Sequence, residues 1–341
     1  MPLLPSFVPP NVMCTGESAR GRQRPEQTPR DDYQETLQLA PPSAAMSICL
    51  TGVMSRDGSC NVSRTISDGS QLHGTLRYRI FRPRQLHPMT TTPTTTPPPL
   101  VVLHGGPSIP CNYLLPLVNV ITDRAVIFYD QLGCGRSSRP QDKDAYSISL
   151  AVDDLILLMN EWNLSTYHLY GHSFGGILAV EYLQRTNDAN CLSVILSSTP
   201  TSIPQLQEES QRLLQELVVE LEGDKQQALE RFRQLHECQA IPIPLSLMDA
   251  YAQAGTTSWR GIQAISDYTA SLDDKTTLEQ PALLLRGQDD FVTQACMQDW
   301  TKCFRKTQTM VLAGCSHHGL LENEQLYGDV ISSFLIDNDD A

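Results

Sequence analysis

The segment "HLYGHSFGGILAVEYL", His168–Leu183, holds Ser173 between glycines, with an apolar run before it and an amphipathic run after it. Gly171-x-Ser173-x-Gly175 therefore falls where a strand passes into a helix, the context of a nucleophile elbow. Such a turn exposes the serine oxygen at the top of a sheet and at a helix N-terminus, where developing negative charge is favoured. A serine is a poor nucleophile alone; it needs an imidazole to take its proton and a carboxylate to orient that imidazole. In a strand–turn–helix context the carboxylate and then the histidine come later in the chain. "ALLLRG" is followed by Gln288-Asp289-Asp290, and "TMVLAG" by Cys315-Ser316-His317-His318. Asp290 is favoured over Asp289, and His317 over His318. Together with Ser173 they make a candidate Ser-His-Asp triad.

An acyl-transfer site also needs N–H donors for the oxyanion. Phe174, just after the serine, can supply one. The other is expected from His104-Gly105-Gly106-Pro107, where paired glycines admit a reacting carbonyl. Gly106 is assigned this role, with Gly105 as the alternative. His104 precedes the serine and reads as a structural hydrogen-bonding residue. No metal or cofactor is needed for this chemistry.

Positioning these groups requires parallel strands with their carboxyl ends on one rim. "LVVLHGG", "RAVIFYD", "TYHLYG" and "CLSVILSS" are short apolar runs of the kind buried on both faces, and they alternate with helical patterns such as "SLAVDDLILLMNEWN", for which Ser147 or Ser149 can serve as N-cap. That rhythm implies an α/β fold: a mostly parallel central sheet with helices on both faces. "VSRTI" and "GTLRYRIF" read as earlier strands joined by a turn at "SDGSQLHG". The rhythm stops at Thr199 and resumes at "PALLLRG". Between them "QLQEESQRLLQELVVELEG", "DKQQALERFRQLHE" and "LSLMDAYAQAG" read as helices, an inserted cap over the sheet's edge. The expected organisation is a disordered extension over 1–45, a first core part over 46–199 with an exposed Thr/Pro-rich loop at 87–99, a helical cap over 200–280 and a second core part over 281–341.

Composition narrows the function classes. A formal net charge of −13 argues against a phosphate-binding surface, so no nucleic-acid partner is expected. No apolar run approaches the about 18 residues of a membrane span. The ten cysteines are scattered without a CxxC pair, and "MPLLPSFVPPNVMC" lacks a basic n-region and is broken by prolines. They read as reduced intracellular thiols, mostly core, in a cytoplasmic protein. Oligomeric state is not legible.

"LHGGP", "NYLLPL", "VIFYDQLGCGRSSRP", "GHSFGG", "RGQDD" and "CSHHGLLENEQLY" together resemble the proline iminopeptidase family of α/β-hydrolases over roughly residues 55–335. The resemblance implies the α/β-hydrolase fold and the cap. It implies Ser173, Asp290 and His317 as the triad and Gly106 and Phe174 as oxyanion donors. It further implies a serine hydrolase, an aminopeptidase or amidase, that cleaves an amide or N-terminal peptide bond of a small molecule or short peptide. Departures stand beside it. Ser108 follows Pro107 where the family continues with glycine. Gln227 and Ser258 stand where family aminopeptidases carry cap glutamates that hold the substrate ammonium. An alternative therefore stays open: an esterase, amidase or thioesterase acting on a small biosynthetic metabolite. Residues 200–280 hold thirteen Asp and Glu against six Lys and Arg. Glu208, Glu209 and Glu230 are candidate replacements that sequence does not rank. Trp259 and Tyr251 are candidates for the substrate pocket.

Overall fold

Leu100–Leu103, Val126–Asp130, Tyr167–His172 and Cys191–Ser197 are buried along their whole length, the pattern of strands covered on both faces. The computed structural model, which describes residues 53–83, 96–255, 259–272 and 277–340, joins them in one sheet. Its strands are β1 (Val53–Thr65), β2 (Gln71–Pro83), β3 (Leu100–Leu103), β4 (Val126–Asp130), β5 (Tyr167–His172), β6 (Cys191–Ser197), β7 (Ala282–Gly287) and β8 (Thr307–Leu312). The order is β1-β2-β4-β3-β5-β6-β7-β8; β1, β2 and β4 pair antiparallel, and every other neighbouring pair is parallel. Strand order reverses around β3, so the carboxyl ends of β3, β5, β7 and β8 share a rim, where α/β sheets place their chemistry.

The helices are α1 (Leu117–Val120), α2 (Ile148–Trp162), α3 (Phe174–Thr186), α4 (Ile203–Glu220), α5 (Lys225–Phe232), α6 (Leu245–Ala252), α7 (Gln294–Met297), α8 (Gly319–Glu322) and α9 (Glu324–Ile336). Ser147, not Ser149, caps α2: its side chain accepts from the Leu150 N–H, and Asn163 closes the helix in a left-handed conformation. Ser202 caps α4 in the same way, with a proline in its first turn. The helices α4, α5 and α6 all fall between β6 and β7.

Some expectations need correction. The β1–β2 hairpin is much longer than "VSRTI" and "GTLRYRIF": the strands run thirteen residues each, and the turn is only 66–70, so "QLH" belongs to β2. The helix expected to run through Glu237 stops as an α-helix at Phe232 and continues as a π-helix over Arg233–Glu237. Residues 1–45, most of 87–99 and Ser258 lie outside the described residues. Among the described residues, no helix is long and apolar enough to cross a membrane. All eight described cysteines are unpaired, and seven are buried.

One buried ion pair ties the edge hairpin to the core. The Arg64 guanidinium meets the Asp154 carboxylate on α2 and also donates to the Ala145 carbonyl at 2.7 Å. Burial pushes the Asp154 carboxyl up to about 6 from an ordinary 3.8, although Arg64 pulls the other way. Native Asp154 thus binds its proton more tightly than unfolded Asp154 does. The resulting stability is fully present below about pH 4 and is lost as pH rises through about 6. Relative to Asp154→Asn, whose amide does not titrate, the wild-type protein is expected to lose on the order of 2–3 kcal/mol between pH 4 and pH 7. Urea denaturation of both proteins across that range checks it. A pH-independent difference would mean that Asp154 stays ionised throughout.

Candidate active site

Ser173 sits at φ 55°, ψ −119°, a conformation that costs a non-glycine residue about 1–3 kcal/mol and persists only where its surroundings enforce it. Here they do. The Ser173 N–H donates to the Ser197 carbonyl at 2.8 Å, and the Gly176 N–H donates back to the Ser173 carbonyl at 3.0 Å. The start of α3 also presses on β3 so closely that a Cβ on Gly175 would lie 2.1 Å from the Leu103 carbonyl oxygen. Glycine is thus required there by backbone contact. Ser173 is half-buried while His172 and Phe174 on either side are buried. Its hydroxyl has no protein partner among the described residues.

Asp290 follows β7 and His317 follows β8, and the two side chains meet. His317 Nδ1 lies 3.0 Å from Asp290 Oδ1, which also accepts from the Val292 N–H at 2.8 Å. The carboxylate is acceptor-only, so Nδ1 carries a proton, and in the neutral imidazole Nε2 keeps its lone pair. The imidazole is pinned between rings: Phe291 at 4.3 Å and His172 at 4.7 Å between centroids. His172 directly precedes Ser173, so this packing brings the imidazole to the elbow. The neighbouring residues go elsewhere. Asp289 Oδ2 accepts from the Gln239 amide at 3.0 Å, and its carbonyl accepts from His236 Nδ1 at 2.6 Å. His318 is buried with Nε2 3.5 Å from the Tyr251 hydroxyl; burial holds it well below the ordinary histidine range, and protonation of His317 would lower it further.

The glycine pair divides its labour. The Gly105 N–H donates to the Tyr113 hydroxyl oxygen at 2.8 Å and is therefore occupied. The Gly105 carbonyl lies 2.9 Å from His104 Nδ1, while His104 Nε2 lies 2.9 Å from the Gln131 N–H. His104 accepts at Nε2, so Nδ1 is its donor. Burial keeps His104 below its usual range, and the ring is committed to backbone. In a trans peptide the C=O and the next N–H point oppositely. Fixing the Gly105 carbonyl thus aims the Gly106 N–H the other way, with no acceptor among the described residues. Gly106 has φ +122°, and a Cβ there would meet the Ser108 and Ile109 nitrogens at 2.7 and 2.8 Å. The Phe174 N–H is the first of α3 and has no intrahelical partner.

Ser108 has φ 63°, which explains why glycine suits this position; its Oγ donates to the Trp259 carbonyl at 2.5 Å. That bond draws Trp259 onto the loop. Its indole stacks on Tyr146 at 6.3 Å and stands edge-on to Phe174 at 5.9 Å. Trp259 therefore borders the elbow, and Tyr251 on α6 borders the loop that carries His317 and His318.

One contributor escaped sequence reasoning. The π-helix lies against both loops: the His317 N–H donates to the His236 carbonyl at 3.2 Å and the His318 N–H to the Glu237 carbonyl at 3.1 Å. Glu237 is half-buried within electrostatic reach of His317 and Tyr251. Burial pushes its carboxyl up, and Arg233 and His317 oppose that shift. Of the earlier candidates, Glu208 and Glu230 are exposed. Glu209 is engaged by Arg212 at 3.1 Å and by the Thr293 hydroxyl at 3.0 Å. Gln227 is exposed in the first turn of α5. A lone acid beside a histidine two residues from a cysteine carries no motif, and its placement depends on the π-helix.

Residues 98–324 match the family model described as alpha/beta hydrolase fold. The chain is 31% identical over 270 residues to a proline iminopeptidase of Lactobacillus delbrueckii subsp. lactis, spanning 71% of this chain and 91% of that protein. The crystal structure of a proline iminopeptidase from Mycobacterium smegmatis superposes with a TM-score of 0.68 at 25% identity, over 82% of this chain and 99% of the other. The esterase RhEst1 from Rhodococcus sp. shares the fold with a TM-score of 0.59 at 18% identity, over 82% and 99% of the two chains.

Proposed function

The chain belongs to the proline iminopeptidase family of α/β-hydrolases and is a hydrolase; from that premise we propose that it cleaves an amide bond beside a free amino group, through Ser173, His317 and Asp290. The observation that carries this reading is the 3.0 Å contact between Asp290 and His317 beside a serine held at a strained elbow. His317 Nε2 takes the Ser173 proton as Oγ attacks the carbonyl carbon. The Gly106 and Phe174 N–H groups receive the oxyanion. As the tetrahedral intermediate collapses, His317 passes the proton to the departing amine, leaving an acyl-enzyme. Water, deprotonated by His317, attacks the ester; Ser173 leaves and recovers its proton. Asp290 keeps the imidazole in the productive tautomer and stabilises the imidazolium. In this reading the described residues of 200–280 form a cap over a core built from the described residues of 46–199 and 281–341. Trp259 and Tyr251 flank the acyl group.

The substrate's ammonium is assigned to Glu237, the cap acid within reach of His317. A charge-assisted hydrogen bond from an ammonium would offset the cost of burying that carboxylate. The alternative, an esterase, amidase or thioesterase for a small metabolite, is favoured by the neutral residues at Gln227 and Ser258. Rates on free and N-acetylated aminoacyl anilides and on simple esters separate the two readings. Free-amine anilides are expected to be preferred, and Glu237→Gln to lower kcat/KM for them by about 10- to 100-fold while leaving ester hydrolysis nearly unchanged. A preference for blocked or ester substrates, unaltered by Glu237→Gln, would overturn the amine-directed reading and leave the esterase one.

A further inference from the structure

Three loops must hold register for the chemistry proposed above: the one carrying Gly106, the elbow, and the one carrying His317. Tyr113 and His172 connect all three. Tyr113, in the 3-10 turn Cys111–Leu114, is buried, and so is His172. Its hydroxyl oxygen accepts the Gly105 N–H at 2.8 Å and lies 2.9 Å from His172 Nδ1. At the other side of that ring, His172 Nε2 lies 2.9 Å from the His317 carbonyl oxygen. A carbonyl only accepts, so Nε2 carries the proton and Nδ1 is the acceptor. The Tyr113 hydroxyl must then donate to Nδ1, which leaves its oxygen to accept from Gly105. Each donor in this chain meets one acceptor, and a single tautomer satisfies the whole.

We propose that Tyr113 and His172 are positioning residues that lock the oxyanion loop to the base loop through the residue preceding the nucleophile. Neither touches the reacting atoms, and the assignment rests on the triad reading. Rings reinforce the chain. Tyr113 stands edge-on to His172 at 5.3 Å and to His318 at 5.3 Å, and His172 stacks on His318 at 5.5 Å. Burial pushes His172 down to about 3, and protonation of His317 would only lower it further, so the ring stays neutral and the donor pattern holds across the working range. Breaking the chain at Tyr113 leaves the Gly105 N–H without its acceptor, and so loosens the peptide next to the one whose carbonyl His104 holds and whose N–H is that of Gly106.

The test uses the full chain with Tyr113→Phe, His172→Leu and His172→Gln. Active sites are counted by titration to completion with a fluorophosphonate. Turnover of p-nitrophenyl butyrate is then expressed per titrated site, and thermal unfolding is followed in parallel. Tyr113→Phe removes one oxygen and keeps the ring packing. Both Tyr113→Phe and His172→Leu are expected to lower kcat per titrated site by about 10- to 100-fold, with KM within about threefold of wild type. His172→Gln, whose amide can still donate to the His317 carbonyl, should exceed His172→Leu by at least about fivefold. A merely structural role would lower the titrated fraction and the melting temperature and leave kcat per site unchanged. Wild-type kcat per site in Tyr113→Phe, or His172→Gln no better than His172→Leu, overturns the proposal while leaving the triad standing. A wild-type protein with no titratable serine removes the triad reading, and this inference falls with it.

Discussion

Ser173→Ala is expected to lower kcat/KM by about 10⁵- to 10⁶-fold, some 7–8 kcal/mol of transition-state stabilisation, and to abolish labelling by a fluorophosphonate. The loss is large because the remaining groups have no nucleophile to act on: His317 can still take a proton, but only from a water that nothing holds in line. Residual catalysis of about 10³- to 10⁴-fold over water should persist from the oxyanion donors and binding. The fold should not suffer. The Ser173 hydroxyl has no protein partner among the described residues, and alanine inherits the same φ of 55° that the Ser197 and Gly176 hydrogen bonds enforce. Labelling and turnover, read beside an unchanged melting temperature, therefore isolate the chemistry. Undiminished labelling of the variant would remove Ser173 from its role.

Much of this site could be anticipated because its parts follow chain order. Apolar runs with both faces covered announce β3 to β6, and the glycines around Ser173 announce a turn that only close backbone approach requires. The loops after β7 and β8 then hold the expected residue types. What sequence leaves open is decided by contacts at a finer scale. Asp289 and Asp290 are adjacent, and one peptide's rotation exchanges them. The Asp289 N–H donates to the Cys315 carbonyl, and in that register Asp290 meets His317 while Asp289 meets Gln239. Gly105 and Gly106 are likewise separated by a hydroxyl eight residues on, that of Tyr113. Over the five residues Arg233–Glu237, α and π periodicities are too similar to tell apart, so the turn that carries Glu237 to the His317 loop leaves no mark. The full length of β1 is obscured because Met54–Asp57 form an unbroken exposed run, and the start of β2 because its exposed Gln71 and His73 read as part of the polar turn before them.

Asp290→Asn should cost about 10⁴-fold in kcat/KM, whereas Asp289→Asn should change it by less than about threefold. The two side chains differ by one position and one amide, so the comparison is nearly isosteric. Asp290 Oδ1 faces two donors, the Val292 N–H at 2.8 Å and His317 Nδ1 at 3.0 Å. An asparagine can keep its carbonyl there and satisfy both, but the charge that stabilises the imidazolium is gone. Turned the other way, its NH₂ faces His317 Nδ1 and forces the proton onto Nε2, which removes the base outright. Either orientation slows proton transfer from Ser173 without disturbing the elbow. Asp289, by contrast, gives up at most a hydrogen bond with the Gln239 amide and keeps the backbone contacts that set the loop. Steady-state kinetics on both variants, normalised to titrated sites, decides the matter. A severe loss in Asp289→Asn with a mild one in Asp290→Asn would transfer the carboxylate's role to the neighbouring residue and require the loop after β7 to turn over in the working enzyme.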